Sequence, residues 1–280
     1  MTLRIDAHQH FWNYAAHPDH YVWMTDDLAS LRHNFAPADL KPLLDAQGIQ
    51  GTIAVQAREM AAETDYLLAI AADHPFIMGV VGWLDLCDPS IEPAIEQAAQ
   101  NPRLKGLRML IHDRPDLDFA DSPAHRRGVG MLSRYGLAYD LLLKPPHIAS
   151  AIRLVDTAPD QVFVLDHIAK PDIKAGAFEP WASDLARLAE RGNVFCKLSS
   201  LVTQADWTHW QPGDFTRYLD HVLACFGAKR LMIGSDWPVC TLAADHARTL
   251  GVVTDWAARL GAGEQDHIRG ATAVRAYRLA

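Results

Sequence analysis

The sequence feature that most constrains the fold is a regular alternation of short apolar segments with longer segments that carry helical signals. Segments such as QVFVLD and RLMIGS are apolar at consecutive positions rather than at every second position. Strands that are apolar on both faces are typical of parallel sheets covered by helices on both sides. The pattern predicts eight strands, at residues 4–8, 51–56, 76–83, 104–111, 137–143, 161–166, 193–199 and 230–235.

Helix candidates lie between these strands. One begins at Pro37, where Leu40, Leu43 and Leu44 recur with the spacing of one helix face. The others cover residues 63–72, 122–135, 146–158, 178–191, 214–226, 241–258 and 264–278, and one more begins at 88. Eight strands with eight or nine helices predict a single, distorted (β/α)8 TIM barrel of the α/β class over residues 1–280. An open doubly wound sheet would favour a glycine-rich turn after the first strand, and none follows it here.

The connection after the first strand, residues 11–35, is unusually long for a compact barrel. It carries five aromatic residues between Phe11 and Trp23. A connection of this length is usually a lid or a binding loop. The alternative is an excursion that packs on the barrel rim.

Charge and cysteine content exclude several classes of protein. The 26 basic and 34 acidic residues give a formal net charge of −8, which argues against a nucleic-acid partner. The four cysteines lie far apart, so neither a disulfide framework nor a cysteine-rich zinc site is expected, and a reducing cytoplasm fits. The longest strongly apolar run, residues 77–84, is far below the roughly 20 residues of a membrane helix. We therefore expect a cytoplasmic protein with no membrane partner, as a monomer or a homo-dimer.

Polar residues cluster at the predicted carboxyl ends of the strands, where TIM barrels carry their chemistry. These are Asp6, His8 and His10, then Lys105 and Arg108, then Tyr139, Asp140 and Lys144, then Asp166 and His167, then Lys197 and Ser199, and last Ser235, Asp236 and Trp237. His8 and His10, two positions apart, point to one side of a strand, which is inward if Ile5 and Ala7 face the helices. Two buried imidazoles need a metal or a carboxylate as partner. Asp166 is expected to point away from His167 as a structural residue.

Two motifs together indicate a family. DAHQH at residues 6–10 and GSDWP at 234–238 resemble the first-strand and last-strand signatures of the amidohydrolase superfamily. The segments DAHQHFW, YVWM, LKGLRML, FVLDHIAKPD, NVFCKLSSL and RLMIGSDWPV are similar to sugar-lactone hydrolases of its amidohydrolase-2 group, of the L-fuconolactone and L-rhamnonolactone type. The resemblance covers essentially the whole chain and implies a TIM-barrel hydrolase.

The resemblance also implies a site, although the chain departs from the binuclear members of the superfamily. Arg108 stands where those enzymes have a metal-bridging lysine or glutamate, and Lys105 lies too early in its strand to replace it. The fifth-strand histidine is missing, with Tyr139 and Asp140 in its place. The resemblance therefore implies one divalent ion, such as zinc, or none, since the group includes metal-independent enzymes. The residues that match the family's ligands are His8, His10, His167 and Asp236.

Lactone hydrolysis assigns a role to each of these residues. Asp236 would be the general base for water, and His167 would orient the substrate or protonate the departing ring oxygen. Arg108 would stabilise the oxyanion or bind hydroxyls, and without a metal His8 and His10 would donate hydrogen bonds to the carbonyl oxygen. The candidate substrate contacts are Trp23, His112, Tyr139, Lys144, Ser199 and Trp237. The other histidines, including His125 and His246, are expected at the surface.

Three functions compete. The first is a lactonase, a carboxylic ester hydrolase that opens L-fucono-lactone or a related aldono-1,4- or 1,5-lactone in sugar catabolism by attack of an activated water. The second is a metal-dependent decarboxylase of an aromatic or muconate-like acid, which would need a firm metal site and a more apolar pocket. The third is a barrel that binds a sugar acid without converting it. The lactonase-like motifs favour the first.

Overall fold

Eight parallel strands pair in chain order to form the wall of a barrel. The structure is a computed structural model, and it describes residues 3–279. The strands are β1 Ile5–Gln9, β2 Gly51–Val55, β3 Ile77–Gly82, β4 Leu104–Met109, β5 Ala138–Leu141, β6 Phe163–Leu165, β7 Val194–Leu198 and β8 Leu231–Ile233. A parallel bridge between Gln9 and Trp237 joins the first strand region to the last. The predicted (β/α)8 barrel is confirmed.

Helices follow the strands around the outside of the barrel. They are α1 Pro37–Ala46, α2 Ala61–Asp73, α3 Glu92–Ala99, α4 Pro123–Val129, α5 Ile148–Asp156, α6 Trp181–Ala189, α7 Gly213–Phe226, α8 His246–Ala257, α9 Ala262–Asp266 and α10 Thr272–Ala276. Several are shorter than the sequence pattern predicts. Within residues 3–279, no helix has the length and apolar character needed to cross a bilayer.

The segment expected as one helix at 264–278 is divided. A π-helical turn at His267–Ala271 separates α9 from α10. Gly270 lies in this turn, where a Cβ atom would come within 1.8 Å of the carbonyl oxygen of Leu3. The close approach of these two backbone segments therefore requires glycine, and it interrupts the regular helix.

Two apolar layers stabilise the barrel. The larger layer lies between the strands and the surrounding helices. The smaller layer lies inside the barrel, where Val164, Phe195 and Met232 pack against Tyr277 of the C-terminal segment. The C-terminal segment therefore contributes directly to the barrel interior, through a tyrosine that is only 1% exposed.

The first strand does not alternate in the simple way that the sequence suggests. Ile5 and Ala7 belong to the interior cluster rather than facing the helices. The pairing of β1 with β2 shifts register between Asp6 and Gln9, an irregularity of the kind that re-aims a side chain. This irregularity lets His8 point inward directly after the inward Ala7. His8 therefore points inward as expected, although the condition given for this, that Ile5 and Ala7 face the helices, is wrong.

The long connection after β1 folds back onto the barrel rim. It contains two 3-10 turns, Pro18–His20 and Asp26–Leu31. Its ends meet where Trp12 and Phe35 form an antiparallel bridge. The indole nitrogen of Trp12 also donates a 2.8 Å hydrogen bond to the carbonyl oxygen of His33. The connection is thus tied to itself and to the rim, and two of its side chains line the pocket described below.

Candidate active site

A pocket of about 290 Å³ opens at the carboxyl end of the barrel strands. This is the end at which TIM barrels carry their active sites. Its wall includes His10, Trp23, Leu28, Gln56, Arg108, His112, Asp113, Lys144, His167, Lys170, Ser200, Trp207 and Asp236. The pocket is therefore built from strand ends, from the connection after β1 and from several later loops.

At the floor of this pocket, three imidazoles converge on one carboxylate. The Oδ1 atom of Asp236 lies 3.3 Å from Nε2 of His10, 3.6 Å from Nε2 of His8 and 4.0 Å from Nε2 of His167. The Nε2 atoms of His8 and His10 are 3.2 Å apart. All four side chains are buried. The structure thus brings together the four residues predicted from the first, sixth and eighth strands.

The other atoms of these side chains are held by neighbours. Nδ1 of His10 lies 2.7 Å from the carbonyl oxygen of Val55, and Nδ1 of His167 lies 2.8 Å from Oγ of Ser199. The Ser200 hydroxyl donates a 2.5 Å hydrogen bond to Oδ2 of Asp236. Anchoring of the distal ring nitrogen is typical of histidines that bind metals. Within the described part of the chain, two overlapping His and Asp groups have the spacing for a metal ion, one of them His8, His10 and Asp236.

The turn that follows β6 has an unusual backbone. His167, Ile168, Ala169 and Lys170 have φ angles of 56°, 48°, 62° and 49°. Left-handed backbone costs an L-residue roughly 1–2 kcal/mol, and such strain is concentrated at functional sites. Hydrogen bonds hold the turn, from the Lys170 amide to the His167 carbonyl (2.8 Å) and from the Trp181 indole to the Ile168 carbonyl (2.7 Å). The turn brings both His167 and Lys170 into the wall of one pocket.

The environment keeps Asp236 ionised and the imidazoles of His8 and His167 neutral. Burial opposes ionisation of Asp236, but contact with His167 and hydrogen bonds from His10 and Ser200 outweigh it, so the pKa of Asp236 is lowered. Burial holds the pKa of His167 well below its ordinary value. The pKa of His8 is also lowered, first by burial and then by the Lys197 charge. The site therefore offers a carboxylate that can accept a proton at neutral pH.

Below the histidines lies a buried group of charged residues. Nη1 of Arg108 donates to Oδ2 of Asp166 at 2.8 Å, and Nη2 donates to the carbonyl oxygen of Gln56 at 2.6 Å. Nζ of Lys197 lies 2.6 Å from Oδ2 of Asp140 and 2.9 Å from Oδ1 of Asp166. The expectation that Asp166 points away from the site is wrong. Asp166 continues the alternation of β6 into the barrel, and the left-handed turn then brings His167 inward as well.

The six predicted substrate contacts separate into two groups. Trp23, His112 and Lys144 line the pocket. Burial lowers the pKa of His112 to about 4, so that its ring is neutral, and Nζ of Lys144 lies 3.4 Å from Asp113. Ser199 is buried behind His167 and supports that ring rather than lining the pocket.

Tyr139 and Trp237 do not reach the pocket wall. The hydroxyl of Tyr139 lies 2.7 Å from Nε2 of His125, in the layer between β5 and the helices. Trp237 packs against Phe11 and Phe35, with ring centroids 6.2 and 5.3 Å away. Both predictions of substrate contact are wrong. Tyr139 lies on the outward face of its strand, and the indole of Trp237 turns into the core under the rim.

Two histidines expected at the surface are buried. His125 is fully buried, and its Nδ1 lies 2.8 Å from the carbonyl oxygen of Ala120. His246 is 2% exposed, and its Nε2 lies 3.3 Å from Asp6, whose carboxylate also accepts hydrogen bonds from Ser235. Helical position alone did not reveal that each histidine has a polar partner within the core.

The sequence reasoning missed several residues of the site. Lys170 lines the pocket, and no described residue forms a hydrogen bond or an ion pair with its ammonium. Gln56 and Trp207 also line the wall, and Ser200 bonds to Asp236. The sequence did hold a signal for two of them: Lys170 lies in the FVLDHIAKPD segment, and Ser200 lies in the NVFCKLSSL segment.

The chain is similar to known proteins over its whole length. A family model described as amidohydrolase matches residues 5–279. An L-fucono-1,5-lactonase of Burkholderia ambifaria is 36% identical over 288 residues, covering 100% of this chain and 97% of that protein. An L-fucono-1,5-lactonase of Burkholderia multivorans is 38% identical over 289 residues, covering 99% of this chain and 97% of that protein.

Solved structures agree with these relatives. The structure of an amidohydrolase from Burkholderia multivorans with bound zinc is 38% identical to this chain, with a TM-score of 0.94, and covers 99% of this chain and 100% of that one. Two decarboxylase structures are 15% identical to the chain. At that identity the likeness shows the fold alone.

Proposed function

The chain belongs to the amidohydrolase family, and we propose that it is a lactonase that hydrolyses a sugar-acid lactone. The observation that carries the proposal is the buried, ionised carboxylate of Asp236 with three imidazole Nε2 atoms within 4.0 Å of one of its oxygens. A carboxylate of this kind can accept a proton from water, and the surrounding N–H groups can stabilise an oxyanion. The lactonase names of the relatives support the same reaction.

The reaction can be written with the residues of the pocket. Asp236 accepts a proton from water as the oxygen attacks the lactone carbonyl carbon. His8 and Arg108 donate to the oxygen that gains negative charge. When the bond between the carbonyl carbon and the ring oxygen breaks, the ring oxygen takes a proton from Nε2 of His167. That atom lies 4.0 Å from Asp236, which returns the proton taken from water. The carboxylic acid product then ionises.

The donor set also fits a divalent metal ion. Imidazole nitrogens and one carboxylate oxygen are ligands that zinc prefers, and the anchored rings of His10 and His167 fit that use. We propose zinc because the solved relative at 38% identity contains it. His10, His167, Asp236 and His8 would hold the ion. When bound, it would polarise the carbonyl group and lower the pKa of a nearby water.

The pocket wall suggests how a sugar lactone would lie. Trp23 and Trp207 offer aromatic surfaces to the apolar face of a sugar ring. His112, Lys144 and Gln56 offer polar atoms to hydroxyl groups. We propose L-fucono-1,5-lactone as the substrate, on the names of the two relatives at 36% and 38% identity.

The proposal is tested with a panel of aldono-lactones and a pH-indicator dye. The panel contains L-fucono-, L-rhamnono-, arabinono- and galactono-lactones as 1,4 and 1,5 rings, each assayed with and without a chelator. Acid release is expected to be fastest with L-fucono-1,5-lactone. Release from no lactone above the spontaneous rate would overturn the lactonase proposal. Activity that survives exhaustive chelation would remove zinc from it.

A further inference from the structure

Trp23 reaches the pocket wall from the long connection after β1, and one hydrogen bond of its side chain joins it to the barrel. Its indole nitrogen donates to the carbonyl oxygen of Ala57, just beyond the end of β2, at 3.0 Å. Trp23 and Ala57 both line the pocket. The indole also packs edge-on against Trp12 of the same connection, with ring centroids 5.7 Å apart. A single neutral hydrogen bond contributes little net stability, so the position of Trp23 depends on what holds the neighbouring residues.

Arg58, the residue after Ala57, contacts the connection directly before Trp23. Its Nη1 donates to Nδ1 of His20 at 3.1 Å, and its guanidinium carbon lies 5.6 Å from the ring centroid of Tyr21. The face of an aromatic ring attracts a cation at this distance. Arg58 and Tyr21 are both buried. The guanidinium of Arg58 therefore joins the connection to the end of β2.

Glu63 on α2 holds both Arg58 and Ala57 from the other side. Its Oε2 accepts from Nε of Arg58 at 2.6 Å, and its Oε1 accepts from the backbone N–H of Ala57 at 2.8 Å. Glu63 is fully buried, and Tyr66 of the same helix lies 5.5 Å from the guanidinium. Charge-assisted hydrogen bonds of this kind are short and strong. One carboxylate thus orients the peptide that binds Trp23 and the guanidinium that binds the connection.

We propose that Arg58 is a positioning residue that holds the connection after β1 against the end of β2, so that Trp23 lies in the pocket wall and binds the apolar face of the substrate. Neither Arg58 nor Glu63 is among the residues that line the pocket, so both act through Trp23 rather than by contact with the substrate. This role rests on the proposed lactonase function for the identity of the ligand, a sugar-acid lactone.

Loss of Arg58 should weaken substrate binding without slowing the chemical step. An aromatic wall contacts the face of the sugar ring equally in the substrate and in the transition state, and uniform binding of this kind lowers KM without raising kcat. The reacting groups are held by other neighbours. Asp236 accepts from Ser200 at 2.5 Å, and His167 lies 2.8 Å from Ser199.

The charges of Arg58 and Glu63 must be removed together. Arg58→Met alone leaves the carboxylate of Glu63 buried without its cation, which is costly. The double variant Arg58→Met/Glu63→Gln removes both charges, and the glutamine can still accept from the N–H of Ala57. Methionine keeps an unbranched apolar side chain between Tyr21 and Tyr66.

The matched control is Asp156→Asn/Arg191→Met. It removes another pair of an arginine and a carboxylate, in which Nε of Arg191 lies 2.9 Å from Oδ1 of Asp156, at the ends of α5 and α6 and outside the pocket lining.

The first experiment measures amide hydrogen exchange of the full-length protein by mass spectrometry. In Arg58→Met/Glu63→Gln we expect peptides within residues 11–35 to exchange about tenfold faster, while peptides of the barrel strands are unchanged, because only the connection is released. The control should exchange at the wild-type rate in residues 11–35. An unchanged connection, or an equal increase in all peptides, would overturn the proposal.

The second experiment measures lactone hydrolysis by the same variants. We expect KM of Arg58→Met/Glu63→Gln to rise about tenfold and kcat to change about threefold or less. Arg58→Lys should have an intermediate KM, since one ammonium group cannot contact Glu63 and His20 in the way that the planar guanidinium does. The control should keep the wild-type constants. An unchanged KM, or a fall in kcat larger than the rise in KM, would overturn the proposal.

The third experiment asks whether Arg58 acts through Trp23. In a Trp23→Ala background the wall is already lost, so we expect Arg58→Met/Glu63→Gln to change KM about twofold or less, as coupled residues are not additive. A tenfold rise of KM in both backgrounds would show that Arg58 does not act through Trp23.

The two proposals fail separately. If the wild-type protein hydrolyses no lactone, the proposed function fails, while the exchange experiment still decides whether Arg58 holds the connection.

Discussion

At the scale of single residues, the geometry around Asp236 separates its possible roles. Its Oδ2 accepts from Ser200, whereas its Oδ1 faces the three imidazoles at the pocket floor. One oxygen is therefore held in place and the other is available to water or to a metal. The φ angle of 58° at this position suits aspartate and asparagine better than most residues.

Asp236→Asn should abolish most of the activity without disturbing the fold. Asparagine keeps the shape and tolerates the left-handed backbone, but it cannot accept a proton from water. We expect kcat to fall about a thousandfold, within the range for loss of a general base. Steady-state kinetics and thermal unfolding measure the two effects, with Asp160→Asn, at an exposed aspartate, as control. Near-normal turnover would remove Asp236 as the base.

Tyr139→Phe should affect stability rather than catalysis. The Tyr139 hydroxyl is the donor for Nε2 of the buried His125, 2.7 Å away, and it lies outside the pocket. Its loss leaves a buried acceptor unsatisfied, which costs about 1–3 kcal/mol. Urea denaturation should show this loss, while kcat and KM stay unchanged. Tyr135→Phe, which removes a partly exposed hydroxyl, is the control. A large rise in KM would return Tyr139 to the substrate site.

At the scale of elements, the turn at residues 167–170 lowers the stability of the fold but places two side chains in the pocket wall. Its four consecutive left-handed residues are all non-glycine. A turn with glycine or asparagine would be cheaper in free energy, but it would not carry the imidazole of His167 and the ammonium of Lys170. Strain that persists at a pocket wall is consistent with a role for both side chains.

Lys170→Asn tests whether the ammonium group of Lys170 contributes to activity and whether the strained backbone at this position lowers stability. Asparagine suits the φ angle of 49° and lacks the ammonium group. We expect kcat/KM for the lactone to fall about tenfold or more, with a melting temperature equal to or above that of the wild type. Lys174→Asn, at an exposed lysine beyond the inner pocket, should change neither value. Full activity in Lys170→Asn would show that the ammonium does not contact the substrate.

At the scale of the whole molecule, the barrel buries polar groups in pairs. His125 joins α4 to β5 by accepting from Tyr139, and burial lowers its pKa to about 4. Its ordinary pKa is about 6.5 in the unfolded chain. Between these values the unfolded chain binds a proton that the folded protein does not. His125 therefore lowers the free energy of unfolding as the pH falls from 6.5 toward 4, and has little effect above 6.5.

His125→Gln should weaken this pH dependence. Glutamine keeps one donor and one acceptor but does not titrate. Between pH 7 and pH 5, the wild-type protein should lose about 2 kcal/mol more of its unfolding free energy than the variant does. Urea denaturation at the two pH values measures the difference. The exposed His209→Gln should behave as the wild type, and equal losses in all three proteins would contradict the assignment.

The sequence by itself determined the barrel and the main members of the site. Consecutive apolar residues predict parallel strands, and parallel strands in a barrel bring all their carboxyl ends to one side. His8, His10, His167 and Asp236 were therefore placed together, although they lie up to 228 positions apart in the sequence. This inference needs only the local pattern of each segment and the order of the strands.

Only the tertiary structure decided which way side chains point where the backbone is irregular. The register shift in β1 placed His8 inward, and the left-handed turn after β6 placed His167 inward. Simple alternation allows only one of two consecutive residues to point inward, which is why the prediction for Asp166 was wrong. Periodicity predicts the face of a residue only while the backbone repeats. Closure of the barrel also brings together residues that are distant in the sequence, such as Lys197 and His8, which are 189 positions apart. Such contacts depend on packing across the barrel interior, and no local pattern in the sequence predicts them.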